Sequence, residues 1–301
     1  MPAKKTKDTV ADKTTPEKTT VVKNTTEEKA APKKAAAKKA APKKAAPKAL
    51  TEDELLLAKE YTCPVCDQKF KTLLVKTGKA KKIGQEFDLR PRHEGIDTIK
   101  YDVVVCPSCG YAAMTKTFEP LSNTQIKWIR EQVGENFKPQ PRAVDRTTYT
   151  YDEAIDRYKL ALVSAMVKRA KLSEKAYICL KISWLQRTYL KELPEGTPEE
   201  LAAKNAMKEE MLQFYQQAYE GFTQCMSKET PPFYGMDSNT LEFMLANMAI
   251  YFKDYDTALK LVSRLITSPN TAGRVKDKCL QLKEQIMAAK KKADAAAKTQ
   301  Q

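Results

Sequence analysis

The spacing of apolar residues changes once along the chain. Ile99, Tyr101, Val103 and Val105 alternate with Lys100, Asp102 and Val104, a period of two that predicts a half-buried strand. Phe70 to Val75 is a second strand-like run able to pair with it. From about Asn123 the period becomes helical. Ser122 or Asn123 can cap a short helix through Val133, and Pro139 with Pro141 marks a linker. Ala154, Ile155, Tyr158, Ala161, Leu162 and Ala165 line one face of a helix beginning near Tyr151, and Tyr177, Leu180 and Trp184 line the next, running to about Leu190. Thr197-Pro198-Glu199-Glu200 is a helix start, a cap followed by proline in the first turn and acids at the positive end of the dipole. Met207, Met211, Phe214, Ala218 and Phe222 form the stripe of that third helix, and Val275, Cys279, Leu282 and Ile286 that of the last. The predicted class is α+β, mostly α, with a small antiparallel sheet ahead of a helical stack.

Composition sharpens this picture at both ends. The chain of 301 residues has a formal charge of +15. Residues 1–50 hold 14 Lys against 5 acids, and residues 288–301 hold 4 Lys against 1 acid. The 237 residues between them are therefore nearly balanced, with 35 basic and 32 acidic groups. The first 50 residues are Lys, Ala, Thr and Pro with no aromatics, so burial cannot offset the entropy of ordering them, and a disordered basic tail is expected. Such a tail either solubilises the chain or holds nucleic acid through its phosphates. The last stretch, Ala288 to Gln301, reads as a helix fraying into a second basic tail. No apolar run is long enough to cross a bilayer, and no secretory signal opens the chain, so a cytoplasmic protein away from membranes is expected.

The chemistry-bearing signal is cysteine. Cys63-Pro-Val-Cys66 and Cys106-Pro-Ser-Cys109 are two C-x-x-C pairs, and each can form a turn that points two sulfurs at one ion. Four thiolates suit one structural zinc with no open position, which argues against a catalytic metal. Gly110 follows the second pair, where the turn wants positive φ, and Asp67 takes that place after the first. Strands carrying two such turns make a zinc ribbon. A rubredoxin-like iron site for electron transfer is the minor alternative. His93 reads as an ordinary loop residue, and Cys179, Cys225 and Cys279 as buried apolar groups in helices. Between the pairs, Gly78 to Gly95 is expected to be a solvated arm, and Lys76, Lys79, Lys81 and Lys82 near its start are candidate nucleic-acid contacts.

Leu245 to Asn270 resembles a tetratricopeptide unit, with Ala258 as its small crossing residue and Pro269 at its end, and Tyr151-Asp-Glu-Ala-Ile155 echoes Tyr255-Asp-Thr-Ala-Leu259. Three antiparallel helix pairs would then share a core. Every aromatic among them reads first as packing; the alternative is a concave face on which Tyr215, Tyr219, Phe233 or Tyr234 meets an unknown protein or peptide. CPVCDQKFKT, YDVVVCPSCGYAA, GMDSNTLEFMLANMAIYF and RVKDKCLQLKEQI together resemble bacterial domain-of-unknown-function family 2225. That resemblance implies a bacterial cytoplasmic protein joining a metal knuckle pair to tetratricopeptide-like helices, with no established activity.

The expected organisation is a basic tail over 1–50, a zinc ribbon over 51–118, a short helix and linker over 119–150, a helical domain over 151–287 and a second tail over 288–301. No nucleophile, acid or base has a visible partner, so the expectation is a non-enzymatic scaffold. Its runner-up is a nucleic-acid-associated factor gripping RNA or DNA through tail and ribbon. Replacing Cys63 and Cys106 is expected to unfold the ribbon and spare the helical half.

Overall fold

Three short antiparallel hairpins precede seven α-helices in the computed structural model, which describes residues 50–139 and 147–299. The expectation of a disordered tail therefore lies outside the described residues, apart from Leu50, as does Pro141 of the linker. The described residues belong to one unit, Lys48–Gln301.

Strand β1 (Leu56–Thr62) pairs with β2 (Lys69–Val75), with Leu56 opposite Val75 and Tyr61 opposite Phe70. Strand β3 (Lys82–Gln85) pairs with β4 (Pro91–His93), and β5 (Val103–Val105) with β6 (Ala112–Met114). The anticipated pairing of residues 70–75 with the strand before Cys106 is thus not formed. Each strand instead folds back on its neighbour across its own cysteine turn, the closure that costs least chain entropy. The predicted strand is also shorter than expected, because Thr98–Tyr101 is a 3₁₀ turn. Asp97 starts that turn by accepting from the Ile99 N–H at 3.2 Å. Lys100 and Tyr101 are then both buried, and both reach Glu52, at 2.7 and 2.8 Å. Alternation of residue type imitated a strand where two polar groups share one half-buried acceptor.

The helices are α1 (Asn123–Gln132), α2 (Tyr151–Val167), α3 (Leu172–Tyr189), α4 (Pro198–Lys228), α5 (Ser238–Tyr251), α6 (Tyr255–Thr267) and α7 (Gly273–Thr299). Their starts follow the local chemistry. Ser122 with Gln125, Thr150 with Glu153 and Thr197 with Glu200 form reciprocal capping boxes, and Asp237 and Asp254 cap α5 and α6. The basic C-terminal stretch is not a frayed tail through residue 299. Its alanines and lysines are strong helix formers uninterrupted by proline, and α7 continues through them.

The core joins the two halves. Val103, Ala112 and Met114 of the β5–β6 hairpin are buried in the same cluster as Tyr158 of α2, Leu180 and Trp184 of α3, Phe222 of α4 and Leu241 of α5. Ser164 on α2 accepts from the Ala112 N–H at 3.2 Å, and Tyr158 donates to the Ile99 carbonyl at 3.2 Å. A second cluster, with Ala258, Val262, Leu265, Cys279 and Ile286, binds α5, α6 and α7.

The arm between the cysteine pairs is a hairpin, β3–β4, but the expectation that it is solvated is corrected, because its inner side is pinned to α3. Asp88 is fully buried, accepting from Trp184 Nε1 at 2.8 Å and from Arg187 Nη1 and Nη2 at 2.8 and 3.0 Å. Glu86 also accepts from Arg187, at 2.6 Å, and Arg90 pairs with Asp97 at 2.5 Å. Tyr215 and Phe233 are buried, as the packing reading of the aromatics expects, and Tyr219 and Tyr234 are half-buried.

Candidate metal centre

Each cysteine pair occupies the turn of a hairpin. Cys63 follows β1 directly, and its N–H donates to the Gln68 carbonyl at 3.0 Å while its own carbonyl accepts from the Asp67 N–H at 3.0 Å. Cys106 follows β5 in the same way, with its N–H on the Tyr111 carbonyl at 2.9 Å and its carbonyl accepting from Gly110 at 3.0 Å. Both turns close through a left-handed residue, Asp67 at φ 58° and Gly110 at φ 71°, where the sequence placed them. At Gly110 the need is doubly strict, because a Cβ there would lie 2.4 Å from the Phe137 ring.

The two turns face each other. Cys63 Sγ lies 3.6 Å from Cys109 Sγ, Cys66 Sγ lies 3.6 Å from Cys106 Sγ, and all four sulfurs fall within 4.8 Å of one another. These separations are far longer than the ~2.05 Å of a disulfide. They approach the ~3.8 Å edge of a sulfur tetrahedron drawn around an ion at ~2.3 Å. All four are free thiols, with Cys63 and Cys106 buried and Cys66 and Cys109 half-buried.

The electrostatics favour a cation. Hydrogen bonds from Cys109 and then Cys63 push the Cys106 thiol down to about 2, whereas the Cys63 thiol is pushed up to about 12, chiefly by its contact with Cys106. Cys109 is pushed up as well, again by Cys106 first. Crowded sulfurs thus oppose one another's ionisation, and a divalent ion bound among them would satisfy them together.

Residues away from the cysteines complete the site. Arg130 on α1 donates to the Val65 carbonyl from Nε at 3.0 Å and Nη2 at 2.6 Å, placing a cation against the first turn. The Val65 N–H reaches Cys63 Sγ at 3.4 Å. Tyr111, Ile129 and Val133 are buried beside the sulfurs with Phe70 and Phe118 packed around them. Arg130 had no sequence signal, since its partner lies 65 residues earlier and is a backbone carbonyl. His93 is paired with Thr98 at 3.2 Å and does not belong to the sulfur cluster.

The four candidate lysines differ in their surroundings. Lys76 Nζ is held by the Glu54 carbonyl at 2.8 Å. Lys79, Lys81 and Lys82 are exposed, Lys81 pairing with Glu94 at 3.1 Å and Lys82 donating to Gln85 at 3.2 Å.

Paired hairpin turns presenting four sulfurs, set on a run of antiparallel helices, define a cysteine-knuckle protein with a helical C-terminal half. The family model described as an uncharacterized protein conserved in bacteria, DUF2225, matches residues 56–286, and the chain belongs to that family. No curated protein and no solved structure matches it. Among the described residues, no helix is long and apolar enough to cross a membrane.

Proposed function

We propose that this is a non-enzymatic binding protein of the bacterial cytoplasm whose cysteine centre holds one structural zinc. The observation that carries the reading is the closed set of four sulfurs within 4.8 Å on two hairpin turns. Four protein ligands leave no position for a substrate, so the ion acts on the fold. Three-residue strands such as β5 and β6 cannot secure their own register, and zinc supplies apparent free energies of about 10–16 kcal/mol to comparable finger peptides. The helical half then serves as a platform for a protein or peptide partner. Elemental analysis of protein purified without added metal tests the centre. One zinc per chain and a colourless solution support it, while one iron and a red colour would replace zinc with the electron-transfer reading.

A second reading is favoured by the exposed Lys79, Lys81 and Lys82 together with the basic N-terminal stretch. In it the protein grips nucleic acid, and affinity falls steeply with salt. Co-purifying nucleic acid, measured with and without nuclease, distinguishes it from a purely protein-binding role.

A further inference from the structure

The β3–β4 arm separates its charges. Its acids Glu86 and Asp88 turn inward, where Arg187 neutralises them. Of the charged side chains between Lys79 and Glu94 that remain exposed, Lys79, Lys81, Lys82 and Arg92 are cationic and Glu94 alone is acidic. The Lys81–Glu94 pair joins side chains that are 76% and 47% exposed, a contact weak enough to exchange for a phosphate.

The same arm exposes an aromatic ring where it meets the helices. Phe87, 46% exposed, stacks on Tyr251 at the end of α5, itself 40% exposed, with ring centres 6.4 Å apart and planes 6° from parallel. Both rings are braced from behind. The Arg187 guanidinium lies 5.1 Å from the Phe87 ring centre, and Tyr215 meets Tyr251 edge-on at 4.9 Å. Tyr251 also lines a groove of about 600 Å³ with Phe252, Leu212 and the amides of Gln213, Gln216 and Gln217. Large aromatics at the surface beside amide groups, one of them on an arm whose exposed charges are mostly cationic, match the requirements of unpaired bases on a phosphate chain.

We propose that this face binds single-stranded nucleic acid, with a base stacked at Phe87 and Tyr251, the groove amides on its edge, and Lys79, Lys81, Lys82 and Arg92 on the backbone. The inference rests on the second reading above and adds the site and the strandedness. A duplex hides its base faces and meets only the cations, so the single strand is preferred.

The test uses the full chain with fluorescein-labelled oligonucleotides of about a dozen nucleotides, single-stranded or as blunt duplex, read by anisotropy across a salt series. Phe87→Leu with Tyr251→Leu keeps the apolar contacts and removes the stacking faces. It is expected to weaken single-strand binding about tenfold and leave duplex binding unchanged. Lys79→Gln, Lys82→Gln and Arg92→Gln together are expected to flatten the log–log salt slope by about 2. Circular dichroism matching wild type confirms that each variant is folded. If wild type binds no single strand at low salt, the nucleic-acid reading fails and this site with it. If wild type binds but neither variant set changes anything, the site is wrong while the broader reading stands on the tail. Equal losses on duplex would remove the stacking argument. If the aromatic variant loses a labelled proline-rich peptide yet keeps the oligonucleotide, the groove is a peptide site and the inference is overturned.

Discussion

Asp88→Ala probes the contact that docks the arm. The carboxylate is fully buried and accepts three hydrogen bonds, one from the Trp184 indole and two from Arg187. Truncation leaves an indole N–H without its acceptor and a guanidinium, 17% exposed, with only Glu86 beside it. Each charge-assisted bond is worth about 1.5–3 kcal/mol, but the larger effect is the cation left inside without its closest countercharge. Breaking a buried pair from one side costs about 3–5 kcal/mol, a large share of the ~5–15 kcal/mol that holds a domain together. Asp88→Asn keeps an acceptor for the indole and should cost about half as much. The double variant with Arg187→Ala should fall short of the sum of the singles by about 1–3 kcal/mol, because the second substitution removes the stranded charge. Urea unfolding followed by far-UV circular dichroism gives these values. Amide exchange at Leu89, whose N–H bonds to the Glu86 carbonyl at 3.0 Å, reports whether the arm alone undocks. A loss below about 1 kcal/mol with Leu89 still protected would refute the claim that this network holds the arm.

Three further outcomes follow from the centre and its support. Cys63→Ser with Cys106→Ser should abolish metal binding and lower the melting temperature of the helical half too, since the β5–β6 hairpin is buried against α2 and α3; an unchanged helical melt would show that the two halves are uncoupled. Gly110→Ala should cost about 1–3 kcal/mol through strain at φ 71° and collision with Phe137, with part of that loss recovered by Phe137→Ala in chemical denaturation. Asp156, exposed near the start of α2, is held above the ordinary carboxylate value of 3.8, first by partial loss of hydration and then by Asp152 and Glu210 against the pull of Lys159, so its ionisation weakly opposes folding. Its favourable contribution is complete below the unfolded-state value and is lost as pH rises through the folded one; Asp156→Asn should therefore stabilise near neutral pH, with the gain vanishing by about pH 3 in paired thermal melts.

What the sequence made legible was local. Caps at Ser122 and Thr197, the helical stripes and the left-handed positions at Asp67 and Gly110 are each set by residues a few places apart, and each stands where its chemistry required. Misreadings arose where a distant partner decided the outcome. Lys100 and Tyr101 looked like alternating strand residues, but Glu52 supplies them with a common acceptor. Glu86, Asp88 and Arg90 looked like a solvated charge run, because their partners Trp184, Arg187 and Thr188 lie on α3 about a hundred residues away. Tyr215 is core, as its place in a helical stripe suggests, but its neighbours Tyr251 and Phe252 come from another helix and were not legible.

These distant contacts change what the cysteine centre is for. A ribbon tethered by a linker would need metal only for itself. Here Cys106 begins the turn of a hairpin whose next residues, Ala112 and Met114, lie in the main core, while α1 holds the other turn through Arg130 on Val65. The two turns belong to different hairpins, and no backbone pairing joins β1–β2 to β5–β6. The sulfur cluster is therefore one of the links between the first hairpin and the second, beside Arg157 of α2, whose Nη2 donates to Thr72 on β2 at 3.0 Å and to the Val103 carbonyl on β5 at 2.8 Å. An ion held there would steady the β5–β6 hairpin that packs on α2 and α3, which is why a change in metal occupancy should be felt in the stability of the helices as well as of the strands.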